Sequence, residues 1–215
     1  MNSEEFQSQL ASRAASGGVA ISGALGAQLE AYYRLLAHWN ASINLTALPL
    51  DPLTDQAIDR LLIEPVAAAL QILKDSPVWY DLGSGGGSPA IPLKLARPGG
   101  LLTMVESKER KAAFLREAVR VLGIGDAAVV ADRIELVAAN PRLAGTVDLI
   151  TIRAVRIVPA LVEAIRTLLR FGGQVVFFGT KAEELSIPRG FEVAQRHPGA
   201  SRVIAPLIVL NRVGP

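Results

Sequence analysis

The chain reads as an α/β protein: a mostly parallel sheet wrapped by helices, with an antiparallel edge and a helical N-terminal extension. Three observations carry that reading. After Pro77, short apolar runs such as VWYDL, LLTMVE and VDLITI alternate with helical patterns, the signature of βαβ units. The last two apolar runs, FEVAQ and VIAPLIVLN, have no long helix between them, so they are expected to pair as an antiparallel edge. Before residue 76 the periodicity is helical throughout.

Taken in order, residues 3–15 are polar and alanine-rich and are expected to form a helix. The segment GALGAQLEAYYRLLAHWN places Leu25, Leu29, Tyr32, Leu36 and Trp39 at helical spacing, so it reads as an amphipathic helix. ASINLTALPLDP breaks it. A second helical stretch follows at 54–73, with a kink or break expected at Pro65, which has no N–H to offer the preceding turn. Strands are expected at VWYDL, LLTMVE, AAVVA, VDLITI and GQVVFF, and helices at 89–96, 108–122 and 158–170. The chain thus divides into a helical extension, 1–75, packed on an α/β domain, 76–215, the two forming one compact unit.

Composition narrows the functions available. A chain of 215 residues can bury one sizeable core. The absence of cysteine excludes thiol catalysis, disulfides and cysteine zinc sites. Lysine and arginine total 22 against 20 acids, a net charge of +2, which is not the footprint of a protein that coats nucleic acid by charge alone. The N-terminus opens with acids rather than a basic-then-apolar leader, and no apolar run approaches the roughly 20 residues that span a bilayer. A cytoplasmic protein with no membrane and no metal partner is the expectation.

The stretch YDLGSGGGSPAIP follows the first strand of the α/β domain. In such sheets ligands sit outside the carboxyl ends of the strands, where glycines allow close backbone approach and a helix start offers free N–H groups. Gly83, Gly85 and Gly87 give G-x-G-x-G; the third glycine of a dinucleotide fingerprint is replaced by Ser88. Asp81, just before the loop, would repel a pyrophosphate but could pair with an ammonium group. About 20 residues on, Glu106 stands where the second strand should end, placed to accept both hydroxyls of a ribose. The order of acid, then G-x-G-x-G, favours S-adenosylmethionine over a nicotinamide dinucleotide, because that cofactor carries no phosphate and ends in an ammonium and a carboxylate.

On these residues the sequence resembles the family of guanine-N7 methyltransferases of small-subunit ribosomal RNA called RsmG or GidB. YRLLAHWNASINLTAL is similar to the family's helix and W-N-x-x-x-N-L-T segment, with Trp39, Asn40, Asn44, Leu45 and Thr46 in place. YDLGSGGGSPAIPLKLARP matches its D-V-G-T-G-x-G-L-P-G-I-P-L loop and helix. VESKERKAAFL, ADRIELV and DLITIRAV resemble its D-S-x-x-K-R-x-x-F-L, S-R-V-E-E and D-x-V-I-S-R-A segments. The resemblance implies a Rossmann-like, S-adenosylmethionine-dependent methyltransferase domain acting on N7 of a guanine in 16S ribosomal RNA, or in the 30S subunit, and working as a monomer. It implies that Asp81, Gly83, Ser84, Gly85, Gly87 and Ser88 line the methionine side of the cofactor and that Glu106, with Ser107, holds the ribose. Asp132, Arg133, Ile134 and Glu135 would flank the adenine. Arg153 would face the reaction centre as the catalytic and cofactor-side residue, in a positioning role; a surface salt bridge to an acid such as Asp148 is its plainer alternative. N7 has a lone pair and no proton, so no general base is required. The two histidines, His38 on the N-terminal helix and His197 in a late loop, are not expected to be catalytic.

For RNA, Asn44, Lys108, Arg110, Lys111 and Arg156 are the candidate contacts at the pocket rim, whereas Arg116 and Arg120 share a helix face with Glu109 and Glu117 and read as local ion pairs. Three departures from the family pattern bear on the substrate. Asp59-Arg60 and Glu64-Pro65 replace an Arg-His and an Asp-Ser pair, Ser88-Pro89-Ala90 replaces Leu-Pro-Gly, and Phe178-Gly179-Thr180, with Lys181 displaced, replaces Leu-Lys-Gly. The alternatives are a methyltransferase of another RNA or a small molecule, or a catalytically inactive nucleotide- or RNA-binding module.

Overall fold

The computed structural model describes residues 2–69, 77–179, 187–197 and 205–214. Its centre is a seven-stranded sheet in the order β3-β2-β1-β4-β5-β7-β6. Strands β1 (Val78–Leu82), β2 (Leu101–Val105), β3 (Ala127–Val130), β4 (Val147–Arg153) and β5 (Leu169–Phe178) run parallel. Strands β6 (Phe191–His197) and β7 (Leu207–Arg212) close the edge antiparallel, as the sequence leads one to expect. The chain moves outward from β1 to β3, then returns to the other side of β1 with β4. The switch point therefore lies between β1 and β4.

Alternation along the strands sorts side chains onto two faces. Trp79, Leu102, Met104, Leu149, Val176 and Phe178 point to one face, and Tyr80, Leu82, Val105, Ile150, Ile152, Val175 and Phe177 to the other. The first face packs against α5 (Ala90–Ala96), α6 (Glu109–Val121) and the whole N-terminal extension; the second is covered by α7 (Ile134–Ala138) and α8 (Pro159–Leu168). Helix α1 (Ser3–Ser16) opens with a capping box in which Asn2 and Glu5 satisfy each other's backbone N–H groups. Helix α2 (Gly23–Asn40) buries Leu29, Tyr32, Tyr33 and Leu36, the face its periodicity marks.

Pro65 neither kinks nor ends its helix. Helix α3 (Asp55–Ile58), a π-helical turn (Asp59–Ile63) and α4 (Glu64–Ala69) follow without interruption. The widened turn absorbs the proline, a known way for a helix to accommodate an irregular hydrogen-bond ladder. Residues 70–73 of the expected stretch lie outside the described residues. Three other boundaries differ from expectation. Helix α8 stops at Leu168 and Leu169 pairs with Val147, so Arg170 belongs to β5; Gly172, at φ +70°, suits extended pairing and not a helix. His197 closes β6 rather than sitting in a loop. The short α7 is absent from the expectation because five residues carry too little periodicity to register.

Candidate active site

At the switch point, beyond the carboxyl ends of β1 and β4, lies a cavity of about 380 Å³, within the size range of small-molecule sites. Loop 83–88 forms one wall. Leu36 of α2 and the segment Leu45–Leu48 form another, and Arg60, Glu106, Lys111 and Arg153 bring charge to it. Asn40 shapes the second wall: its Oδ1 accepts hydrogen bonds from the N–H groups of Leu45 (2.8 Å) and Thr46 (3.0 Å), folding the chain after α2 back over the loop.

The glycines of the loop divide by purpose. Gly86 is small because the protein's own N-terminal cover approaches it; a Cβ there would stand 3.2 Å from both Leu36 Cδ1 and the Leu45 carbonyl oxygen. Tyr32 completes that contact by donating a 2.7 Å hydrogen bond to the Gly86 carbonyl. Gly85 has the opposite character. Its φ of +53° favours glycine, yet a Cβ would meet only the Gly83 carbonyl oxygen, at 3.8 Å. The space before Gly85 is therefore left open on the cavity side. The N–H of Gly85 is held by Glu106 Oε2 at 2.9 Å, and the other carboxylate oxygen accepts from the Lys108 N–H at 2.8 Å. Glu106 so fixes the loop and the start of α6 together, with acceptor capacity remaining on both oxygens.

Asp81 lies deeper. It is 1 % exposed, and Thr151 Oγ1 donates to its Oδ1 at 2.5 Å while itself accepting from Trp79 Nε1 at 2.9 Å. Burial pushes the Asp81 carboxyl up to about 6, against the opposing pull of the Thr151 hydrogen bond and the Arg153 charge. Ser84 Oγ donates to the Asp81 carbonyl, tying the loop to the strand that carries the acid.

Arg153 makes no bridge to Asp148, which is engaged by Arg170 Nε at 2.5 Å. Its Nη2 pairs with Glu64 Oε2 at 2.9 Å, Nη1 donates to the Arg60 carbonyl, and the guanidinium lies 5.0 Å from the centre of the Phe178 ring. Only 11 % of the Arg153 side chain and 4 % of that of Glu64 are exposed. Desolvation lowers the arginine to about 10 and raises the glutamate, each opposed by the charge of the other. Ser88 Oγ donates to the Leu61 carbonyl at 3.0 Å. These two acceptors, Arg60 and Leu61, are the carbonyls one π-helical and one α-helical step before Pro65, which has no N–H to give either.

The remaining expected residues stand around this core. Ser107 and Lys108 are exposed just past Glu106, and Lys111 lines the cavity. Asp132, Arg133, Ile134 and Glu135 sit past the end of β3, on the far side of β2 from the glycine loop and outside the cavity wall; Asp132 Oδ1 accepts from the Arg133 N–H at 2.7 Å. Asn44 and Arg156 are exposed, and Arg110 reaches the Ser42 carbonyl at 3.5 Å. Arg116 and Arg120 pair with Glu109 and Glu117 at 2.9 and 2.7 Å, as the helix face suggests. Four residues of the site were not legible beforehand: Tyr32, Arg60, Glu64 and Thr151. Three of them read as core or helix pattern, and Glu64 was noted only as a departure. A buried-acid signal exists only once Glu64 is seen to face inward.

The residues present fit S-adenosylmethionine: an open backbone at Gly85, a carboxylate at the end of β2 and a buried acid at the end of β1 suit an uncharged ribose and an ammonium better than a phosphate. Among the described residues no helix is long and apolar enough to cross a membrane. Residues 26–195 match the family GidB, rRNA small subunit methyltransferase G. The chain is 37 % identical over 185 residues to ribosomal RNA small subunit methyltransferase G of Stenotrophomonas maltophilia strain K279a, covering 83 % of this chain and 81 % of that protein. It is 32 % identical over 177 residues to the protein of the same name from Geobacillus kaustophilus, covering 82 % and 71 %. Among solved structures, a SAM-dependent methyltransferase from Aquifex aeolicus superposes with a TM-score of 0.56 at 14 % identity, covering 76 % of this chain and 96 % of that one, a likeness of fold. With its parallel sheet, its switch-point cavity and this match across most of its length, the chain belongs to the rRNA small subunit methyltransferase G family.

Proposed function

We propose that the protein transfers a methyl group from S-adenosylmethionine to N7 of a guanine in 16S ribosomal RNA, as a monomer in the cytoplasm and with the 30S subunit as its physiological substrate. The observation that carries this reading is the open face of Gly85 beside the Glu106 carboxylate at the switch point, in a chain of this family. When bound, S-adenosylmethionine supplies a methyl on a sulfonium, whose C–S bond breaks as the N7–C bond forms.

The protein's own part is alignment and exclusion of water. N7 brings a lone pair and no proton, so no side chain has to accept one. Glu106 keeps the loop and the first turn of α6 in register and offers its remaining acceptor sites to ribose hydroxyls. Asp81 provides the negative end for an ammonium. Asp132 to Glu135 border the open end of the crevice, beyond Glu106, where an adenine would extend. Leu36, Leu45 and Leu48 cover the cavity on the side of the N-terminal extension, 1–75, which serves as a lid on the methyltransferase domain, 76–215. Lys108, Arg110, Lys111, Arg156 and Asn44 form the rim on which RNA backbone is received.

The test is methyl transfer from labelled S-adenosylmethionine to 30S subunits, naked 16S RNA and small metabolites, followed by nucleoside analysis. Label recovered as 7-methylguanosine from 16S RNA is the expected result, with 30S the better substrate. Label on another nucleoside, or on none, overturns the reading. Calorimetry should show binding of S-adenosylmethionine and S-adenosylhomocysteine and none of NAD.

A further inference from the structure

In the reaction proposed above, the acceptor ring becomes cationic as the methyl arrives: the methyl carbon leaves sulfur, which becomes a neutral thioether, and bonds to N7, and no proton is released. A cationic guanidinium in the cavity wall opposes that change. Arg153 lines the cavity together with Ser84 and Gly85. In a site this dry, a bare positive charge acts over several ångströms with little screening.

The structure pairs that charge. Glu64 is almost wholly buried, and its two carboxylate oxygens are spent separately: Oε2 on Arg153 Nη2 at 2.9 Å and Oε1 on the N–H of Ala205 at 3.1 Å, with Arg60 Nη1 further out at 3.6 Å. Glu64 thereby joins the helix that precedes β1, the end of β4 and the approach to β7. Pro65 contributes from the next position. Because it lacks an N–H, the carbonyls of Arg60 and Leu61 accept from Arg153 and Ser88 instead of from the helix. Two of the departures from the family pattern, Glu64-Pro65 and Ser88, are therefore one structural feature.

We infer that Glu64 is a positioning and charge-compensating residue for methyl transfer: it holds Arg153 against the cavity wall as half of a neutral pair, so that the wall presents shape and hydrogen-bond direction to the acceptor without net positive charge. The inference rests on the methyltransferase reading above. It differs from a purely structural role, since the buried carboxylate then matters more to turnover than to binding.

The experiment compares wild type, Glu64→Gln and the double variant Glu64→Gln/Arg153→Gln, measuring kcat and KM for the RNA, calorimetric affinity for S-adenosylmethionine, and melting temperature. Glu64→Gln leaves an uncompensated guanidinium and should lower kcat about 30-fold or more, with RNA KM and cofactor affinity within threefold of wild type. Removing the second charge should restore at least tenfold of that loss. A Glu64→Gln kcat within threefold of wild type, or a double variant no faster than the single one, overturns the inference and leaves the proposed function standing. A wild-type enzyme that methylates no RNA takes both down. Where Glu64→Gln does not fold, the neutral double variant decides: kcat within tenfold of wild type supports the inference, and a larger loss overturns it.

Discussion

Thr151 donates a 2.5 Å hydrogen bond to Asp81 across the parallel pair β1·β4, where the two are register partners. The same hydroxyl accepts from the indole of Trp79, so its single proton is directed at the carboxylate. The acid is thus held in a fixed rotamer at the switch point, inside the sheet layer, by a neighbour that cannot neutralise it. Such an arrangement retains a carboxylate for a cationic ligand at a cost in stability.

That cost can be measured. The folded Asp81 carboxyl sits at about 6 against 3.8 for the free side chain, so the folded state binds the proton more tightly than the unfolded one. Stability from this group is fully present below about pH 4, falls as pH rises, and is lost above about pH 6. The full span corresponds to roughly 3 kcal/mol. Asp81→Asn keeps an acceptor for Thr151 and removes the charge. It should be the more stable protein at pH 8, with the difference from wild type shrinking towards pH 4.5 in urea titrations. The same variant should bind S-adenosylmethionine at least tenfold more weakly at pH 8. A stabilised variant with unchanged affinity removes Asp81 from the ligand site.

Gly85 and Gly86 are neighbours with opposite predictions. At Gly86 an added methyl presses on Leu36 and the Leu45 backbone, so Gly86→Ala should cost about 1–2 kcal/mol of stability through overpacking. At Gly85 the methyl meets open space, and only the positive φ resists it, at roughly 1–2 kcal/mol. The stability losses are alike, but the cavity is narrowed in Gly85→Ala alone. Calorimetry should show cofactor affinity falling by more than tenfold in Gly85→Ala and by less than threefold in Gly86→Ala.

The contrast explains what the sequence does and does not reveal. Apolar runs of five residues separated by helical periods are local signals, so β1, β2, β4 and the N-terminal helices are legible, as is the glycine loop with its flanking acid. The partners of those residues are not. Glu64 and Arg153 are 89 positions apart, and Thr151 and Asp81 are 70 apart, joined only by the strand order. Nothing in a helical pattern says that Tyr32 will aim its hydroxyl at Gly86, because the periodicity that buries the ring is the same with or without the oxygen. Pro65 misleads for a related reason. Its cost to a helix is local, and the acceptors it frees are taken up by distant side chains.

Tyr32→Phe tests the coupling between the N-terminal cover and the loop. The ring stays buried while the Gly86 carbonyl loses its 2.7 Å donor, which should cost about 1–3 kcal/mol. If the cover orders the loop, hydrogen exchange across residues 83–88 should quicken and cofactor affinity fall three- to tenfold. Exchange confined to α2, with the loop unchanged, shows that the bond stabilises the cover only.

RNA binding should separate cavity-side cations from paired ones. Lys111 lines the cavity on the first turns of α6, whereas Arg120, 72 % exposed on the same helix, is engaged by Glu117 at 2.7 and 2.8 Å. A lysine that neutralises one phosphate displaces about one counterion, so its loss reduces the slope of log affinity against log salt by roughly 0.7–0.9. Lys111→Ala should show that reduction, with kcat at saturating RNA unchanged and KM raised. Arg120→Ala, which removes a cation already compensated by its neighbour, should leave slope and KM as they are. Equal changes in the two variants would mean that RNA is held by the general field of α6 and not by contacts at the cavity rim.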